Sequence, residues 1–267
     1  MRLVTVIMIA LSLSVAPALA GNFEDGVNAY RSRNFVKAKE SWQKAAAQGS
    51  VMAQFSLGFL YEKGEGTAVD YRQAADWYRR AAERGNAPAQ TNLGSLYERG
   101  QGVLQDNKQA VNWYQRAADQ GTVEAQFNLG RMYQTGQGVA QDHAQAASWF
   151  RKAGEKGHVG AQATLALMYE TGQGVARDYK QAVEWYGKAA AAGDSRAQFD
   201  LGRIYESGKE GVPLDYVEAH KWGNIAESNG EDRARRSRIL LERLMTPEQI
   251  AQARQGAEEW LKAHAKQ

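Results

Sequence analysis

Residues 51–86 read VMAQFSLGFLYEKGEGTAVDYRQAADWYRRAAERGN. The same phrase returns four times downstream. Tyr61, Tyr97, Tyr133, Tyr169 and Tyr205 stand 36 residues apart. Trp77, Trp113, Trp149 and Trp185 keep that step, and Trp222 follows after 37. Leu57, Leu93, Leu129, Leu165 and Leu201 keep it too. Chance does not place three unrelated residue types in register over five copies, so the chain is a tandem array of one supersecondary unit.

Each unit divides into two helices. Ala53, Leu57, Leu60 and Tyr61 recur at spacings of three and four, which puts them on one helical face. Gly64 ends that helix, because glycine enters the left-handed region without a steric penalty. Asp70 opens the second helix as an N-cap, with Gln73 placed to reach back. The pair recurs as Asp106/Gln109, Asp142/Gln145, Asp178/Gln181 and Asp215/Glu218. Ala74, Trp77, Tyr78, Ala81 and Ala82 form the inner stripe, and Gly85, Gly121, Gly157 and Gly193 stop the second helices. Gly58, Gly94, Gly130, Ala166 and Gly202 keep the side chain minimal where the partner helix approaches. One hairpin cannot bury both of its apolar faces, so neighbours must stack. The expected fold is all-α, a right-handed α-solenoid of antiparallel helix pairs.

The unit A-x-x-x-L-x-x-x-Y-x-x-G-x-G, then D-x-x-Q-A-x-x-W-Y-x-K-A-A-x-x-G, resembles the Sel-1-like repeat family, a relative of the tetratricopeptide repeats. Ala53, Leu57, Gly58, Tyr61, Gly64, Gly66, Asp70, Ala74, Trp77, Tyr78, Ala81, Ala82, Gly85 and their copies carry the resemblance. It implies five Sel-1-like repeats over residues 51–231, divided as 51–86, 87–122, 123–158, 159–194 and 195–231. Residues 21–50 read as a degenerate first hairpin. Tyr30 lies 12 residues before Trp42, against 16 between Tyr61 and Trp77, so the paired-glycine turn is missing and the unit is closer to an ordinary tetratricopeptide hairpin. The fifth repeat holds an extra residue in Ser207–Gly211 and replaces Tyr-x-Lys by Gly223-Asn224-Ile225. Residues 232–267 leave the repeat. Thr246-Pro247-Glu248-Gln249 is a helix start, and Ile250, Ala253, Ala257, Trp260 and Leu261 give it an apolar stripe. These residues are expected to form helices that cap the last repeat.

Residues 1–20 read as a signal peptide. Arg2 precedes an apolar run from Leu3 to Val15, Pro17 breaks it, and Ala18-Leu19-Ala20 supplies the small residues of a cleavage site. The run is short for a membrane span. The expected location is periplasmic, with secretion as the alternative and membrane contact only through the leader before cleavage.

The chain has 267 residues, 33 Lys+Arg against 30 Asp+Glu, and no cysteine. Without cysteine there is no disulfide framework, thiolate metal site or cysteine nucleophile. His143, His158, His220 and His264 share no helix-face spacing, and neither a metal nor a cofactor is expected. Arg233, Arg235, Arg236 and Arg238 form the one basic cluster. It reads as a solvated helix face, with an anionic partner surface as the sharper alternative. Aromatic residues do not interleave with it, so nucleic acid is not expected. Ser41-Trp42-Gln43-Lys44 matches S-x-x-K. Lys44, however, takes the repeat position of Arg80, Arg116, Lys152 and Lys188, whose expected role is to solvate the helix and offset its C-terminal dipole. No catalytic residue is assigned.

The resemblance implies that the first helices line a concave groove. The groove positions are Phe55, Phe59, Glu62, Thr91, Ser95, Glu98, Phe127, Arg131, Gln134, Leu167, Glu170, Phe199, Arg203 and Glu206. They vary from unit to unit while the packing positions hardly change. The alternative for Phe55, Phe127 and Phe199 is packing against the preceding unit. The expected function is an exported, non-catalytic scaffold of the bacterial cell envelope that holds a protein or peptide in this groove. The alternative is a cell-wall-directed enzyme or a peptidoglycan or glycan binder, by analogy with cysteine-rich relatives acting on β-lactams, whose cysteines this chain lacks.

Overall fold

A computed structural model describes residues 17–264. Residues 1–16 of the expected leader lie outside the described residues. Fourteen helices follow one another, with no strand among the described residues beyond a bridge between Lys209 and Val212. Two compact units divide at Gln141 and Asp142. The first holds α1 (Pro17–Arg31), α2 (Phe35–Ala47), α3 (Val51–Lys63), α4 (Tyr71–Glu83), α5 (Ala87–Arg99), α6 (Asn107–Asp119) and α7 (Val123–Thr135). The second holds α8 (His143–Glu155), α9 (Val159–Thr171), α10 (Tyr179–Ala191), α11 (Ser195–Ser207), α12 (Tyr216–Ser228), α13 (Asp232–Leu241) and α14 (Pro247–Ala263). In each unit consecutive helices pack as antiparallel pairs, and each pair packs on the next. Every helix from α2 to α12 is 13 residues long, about 20 Å, so the layers stack flush.

Local chemistry sets those lengths. Asp70 accepts the Arg72 and Gln73 backbone N–H groups at 3.0 Å, and Asp106, Asp142 and Asp178 repeat the bond. The full reciprocal capping box closes at Thr246 and Gln249, where each side chain bonds the other's backbone N–H. The first helices are capped by a position of varied chemistry: Ser50, Asn86, His158 and Asp194 each accept a backbone N–H three residues on. Each such cap contributes about 1 kcal/mol. Gly64, Gly100, Gly136 and Gly172 end the first helices in the left-handed conformation.

The leucine series is buried, and the following small residue does what the spacing predicts. A Cβ on Gly58 would lie 2.5 Å from the Tyr78 ring, and one on Gly94 would lie 2.9 Å from that of Tyr114. The cations at Arg80, Arg116, Lys152 and Lys188 have a more specific role than solvation. They sit over the rings of Trp77, Trp113, Trp149 and Trp185 at 4.4, 4.7, 3.7 and 3.9 Å from the centroids. The residue three positions after each tryptophan thus roofs the indole with its charge.

Two inter-repeat devices stand out. The first is a ladder of buried glutamines. The amides of Gln90, Gln126, Gln162 and Gln198 donate to the carbonyls of Ala82, Ala118, Gly154 and Ala190 at 2.9–3.1 Å. Each rung supplies a donor to the C-terminal turn of the preceding second helix, where carbonyls lack intrahelical partners. Gln90→Ala leaves the Ala82 carbonyl without that donor and is expected to cost about 1–1.5 kcal/mol in urea unfolding. No change in the midpoint would contradict the rung. The second device is the second glycine of the turn, which lies against backbone of the preceding repeat, as Gly102 does against Tyr71.

The C-terminal segment closes the second unit. α13 packs on α12 and touches α11, as the first helix of a further repeat would, while α14 runs along α12. Gly223 faces α13 at this contact, where a Cβ would meet that of Arg238 at an ordinary van der Waals distance of 3.7 Å. Buried His220 joins the three helices. Its Nε2 lies 3.1 Å from Glu242, which also accepts Arg238 at 2.6 Å and Arg254 at 2.9 Å. Burial holds the imidazole below its ordinary pKa, against the opposing pull of Glu242. The extra residue of the fifth repeat is absorbed in a tight turn, with Lys209 and Val212 exchanging N–H···O bonds of 2.8 Å.

Candidate partner-binding site on the first helices

In the first unit, α3, α5 and α7 border an open cavity of about 1210 Å³. Its middle is lined by the short side chains Thr91, Asn92 and Ser95 of α5. Phe55 and Phe59 of α3 stand on one side, and Asn128 and Arg131 of α7 on the other. The cavity exists because repeat positions that carry large groups in the outer two helices carry small ones in the middle helix. Glu62 and Glu98 also line it, so seven of the expected groove residues meet here: Phe55, Phe59, Glu62, Thr91, Ser95, Glu98 and Arg131. Phe55 is only 3% exposed and packs on Tyr78 at 5.8 Å, so it backs the wall. Phe127 and Gln134 are half-buried on α7 and lie outside the lining.

The carboxylates at these positions are internally engaged. Tyr78 donates its hydroxyl to Glu62 at 2.7 Å, and Tyr114 donates to Glu98 at 2.8 Å. Lys63 pairs with Glu62 at 2.9 Å, and Arg131 bonds Glu98 from the next repeat. Burial first, and the adjacent carboxylate second, push the Tyr78 and Tyr114 hydroxyls well above the usual range. They stay protonated and remain donors. Arg99, exposed beside the cavity, forms no ion pair among the described residues.

The second unit repeats this chemistry. Tyr186 donates to Glu170 at 3.0 Å, and Arg203 bonds the same carboxylate. Burial raises the carboxyl pKa of neighbouring Asp200, opposed by Arg203 at 3.7 Å. Leu167 is 42% exposed on α9. Phe199 lies under the Arg233 guanidinium at 4.7 Å, and Glu206 accepts the Ser237 hydroxyl at 2.8 Å. The last repeat has Gly223 in place of the tyrosine, and a hydroxyl from α13 serves its glutamate instead.

Two further signals lie in the sequence. The tyrosine–glutamate pair changes together: the copy with Phe150 in place of tyrosine has Gln134 in place of glutamate. Several variable positions also alternate every second unit. Phe55, Phe127 and Phe199 stand 72 residues apart, as do Arg131 and Arg203. Arg79 and Arg151 keep the same step and donate to the hydroxyls of Tyr97 at 3.3 Å and Tyr169 at 2.6 Å. Elsewhere, Ser41 and Lys44 lie one turn apart on α2, and Lys44 is exposed.

The Sel1 repeat family model matches residues 18–50, 51–86, 87–122, 123–158, 159–194 and 195–231. Among solved structures the chain is similar to a Sel1 repeat protein from Oxalobacter formigenes. The two share 33% identity with a TM-score of 0.73, over 92% of this chain and 97% of that one. It is also similar to c5321, a protective antigen present in uropathogenic Escherichia coli strains that displays an SLR fold. There the identity is 30% and the TM-score 0.63, over 92% of this chain and 61% of the other. The comparison with curated proteins finds no match.

Proposed function

Because the chain belongs to the Sel1 repeat family, whose members generally act as non-catalytic protein-interaction scaffolds, we propose that it binds a protein or peptide through the cavity on α3, α5 and α7. One observation carries this reading. Apart from Glu62, Glu98 and Tyr114, the cavity is lined by side chains that the repeat does not conserve between its own copies, while the leucines, glycines and tryptophans that do repeat are consumed by packing. Phe59 and Pro88 offer apolar contact, Asn92 and Asn128 offer amides to a peptide backbone, and Arg99 offers an unpaired cation. In this reading the place of action is the bacterial periplasm, from the leader pattern of residues 1–20.

Asn128→Trp tests the site. Asn128 is half-buried at the cavity's edge, so an indole there fills open space. Crosslinked pull-downs from the native envelope, read by mass spectrometry, are expected to lose the partner that the unmodified chain recovers, at an unchanged melting temperature. Full recovery by the variant would contradict the site. A periplasmic chain beginning at Gly21 is expected in the same preparation, and a cytoplasmic chain retaining Met1 would contradict the location.

A further inference from the structure

Every other first helix paired within its own unit is covered by the second helix of its hairpin. α13 is not. It turns Ala234, Arg238 and Leu241 towards α12, where Ala234 and Leu241 are at most 2% exposed. Ser237 faces Glu206 of α11. The helix that follows, α14, lies along α12 instead, with Trp260 edge-on to Trp222 at 5.5 Å. The outer face of α13 and its terminal turn is therefore open. Ile239, Leu240 and Leu244 are 43%, 49% and 63% exposed there.

Arginines interleave with this apolar stripe. Arg236 and Arg243 are exposed and have no ion pair among the described residues, and Arg235 is 73% exposed with Glu227 no nearer than 3.8 Å. The other two arginines are neutralised: Arg233 by Glu231 at 2.7 Å, and Arg238 by Glu227 and Glu242 at 3.0 and 2.6 Å. The basic charge that remains thus points away from the fold, around the leucines.

We propose that the outer face of α13 docks an acidic amphipathic helix of a partner protein. The stack argues for a helix, since Ile239 takes the repeat position of Gly58 and Gly94, on which the second helix of the hairpin lies in preceding repeats. The unpaired arginines argue for acidic flanks, which would meet them across the contact. A second copy of the chain fits poorly, because a two-fold contact would set one arginine rim against the other. The surface is separate from the cavity on the first unit and does not depend on it.

The test uses the full chain and two labelled peptides, one a designed helix with a leucine stripe flanked by glutamates, the other its lysine-flanked counterpart. Fluorescence anisotropy is expected to show binding of the glutamate peptide only. Leu240→Asp with Leu244→Asp should weaken it about tenfold or more. Arg236→Glu with Arg243→Glu should reverse the preference towards the lysine peptide, and Asn128→Trp should change nothing. Arg236 and Arg243 are exposed and in no ion pair among the described residues, so the arginine pair decides the matter even if the leucine pair perturbs folding. Equal binding of both peptides, or binding indifferent to both pairs, would overturn the proposal. So would a concentration-dependent dimer abolished by Leu240→Asp, or capture by phosphatidylglycerol vesicles without peptide binding.

Discussion

Gly102→Ala is expected to destabilise the chain by about 3 kcal/mol or more, while Gly85→Ala should cost about 1–2 kcal/mol. Both glycines hold positive φ, at +71° and +86°, so both substitutions meet the same backbone penalty. They differ in what a methyl group would touch. At Gly85 nothing lies within 4 Å. At Gly102 a Cβ would fall 2.1 Å from the carbonyl oxygen of Tyr71, the first residue of α4 in the preceding repeat. Backbone cannot step aside as a flexible side chain can, so the repeats must separate. Gly138 against Asn107, and Gly174 against His143, present the same contact at 2.3 and 2.1 Å. Urea unfolding measures the difference between the two alanine variants. Loss of one interface in a stacked array should also break the coincidence of transitions seen by different probes. Equal costs at Gly85 and Gly102 would mean that the second glycine is a helix stop only.

Tyr114→Phe comes next in size. Its hydroxyl donates to Glu98, whose side chain is only 15% exposed, and a hydrogen bond to a charged acceptor contributes about 1.5–3 kcal/mol. We expect a loss of about 2 kcal/mol, reduced because Arg131 still holds the carboxylate. Glu98→Gln alone should also destabilise, by weakening the Arg131 contact. The double variant should cost less than the sum, because the sequence exchanges the two residues together in one copy, where Gln134 and Phe150 replace glutamate and tyrosine. A double-mutant cycle reads this coupling directly. Strict additivity would show that the two residues do not act as a pair.

The solenoid was legible because packing requires repetition. Leucine, tyrosine, tryptophan and glycine at fixed steps leave little choice but two helices per unit. Asp70 and its copies were readable as caps, and Gly64 as a stop, because each acts on its own backbone within a few residues. What stayed hidden acts across repeats. Gln90 and its copies follow alanine in every unit, yet a polar residue in a helix reads as solvent-facing until its carbonyl partner on the preceding helix is seen. Gly66 and Gly102 looked like part of one local turn because their neighbours lie about 30 residues upstream. The glutamates at 62, 98 and 170 read as free recognition charges, although tyrosines 16 residues on donate their hydroxyls to them. The cavity itself depends on which first helices bear small residues. That was written in the alternation of Phe55, Thr91 and Phe127, but a consensus averaged over all units erases it.

In the proposed division of labour, repeated side chains hold the stack and unrepeated ones on the first helices choose a partner. Hydrogen–deuterium exchange of the full chain, alone and with its captured partner, measures this most directly. New protection is expected in peptides from α3, α5 and α7, with α4 and α6 unchanged. Protection gained in α4 and α6, with the first helices unaffected, would contradict it.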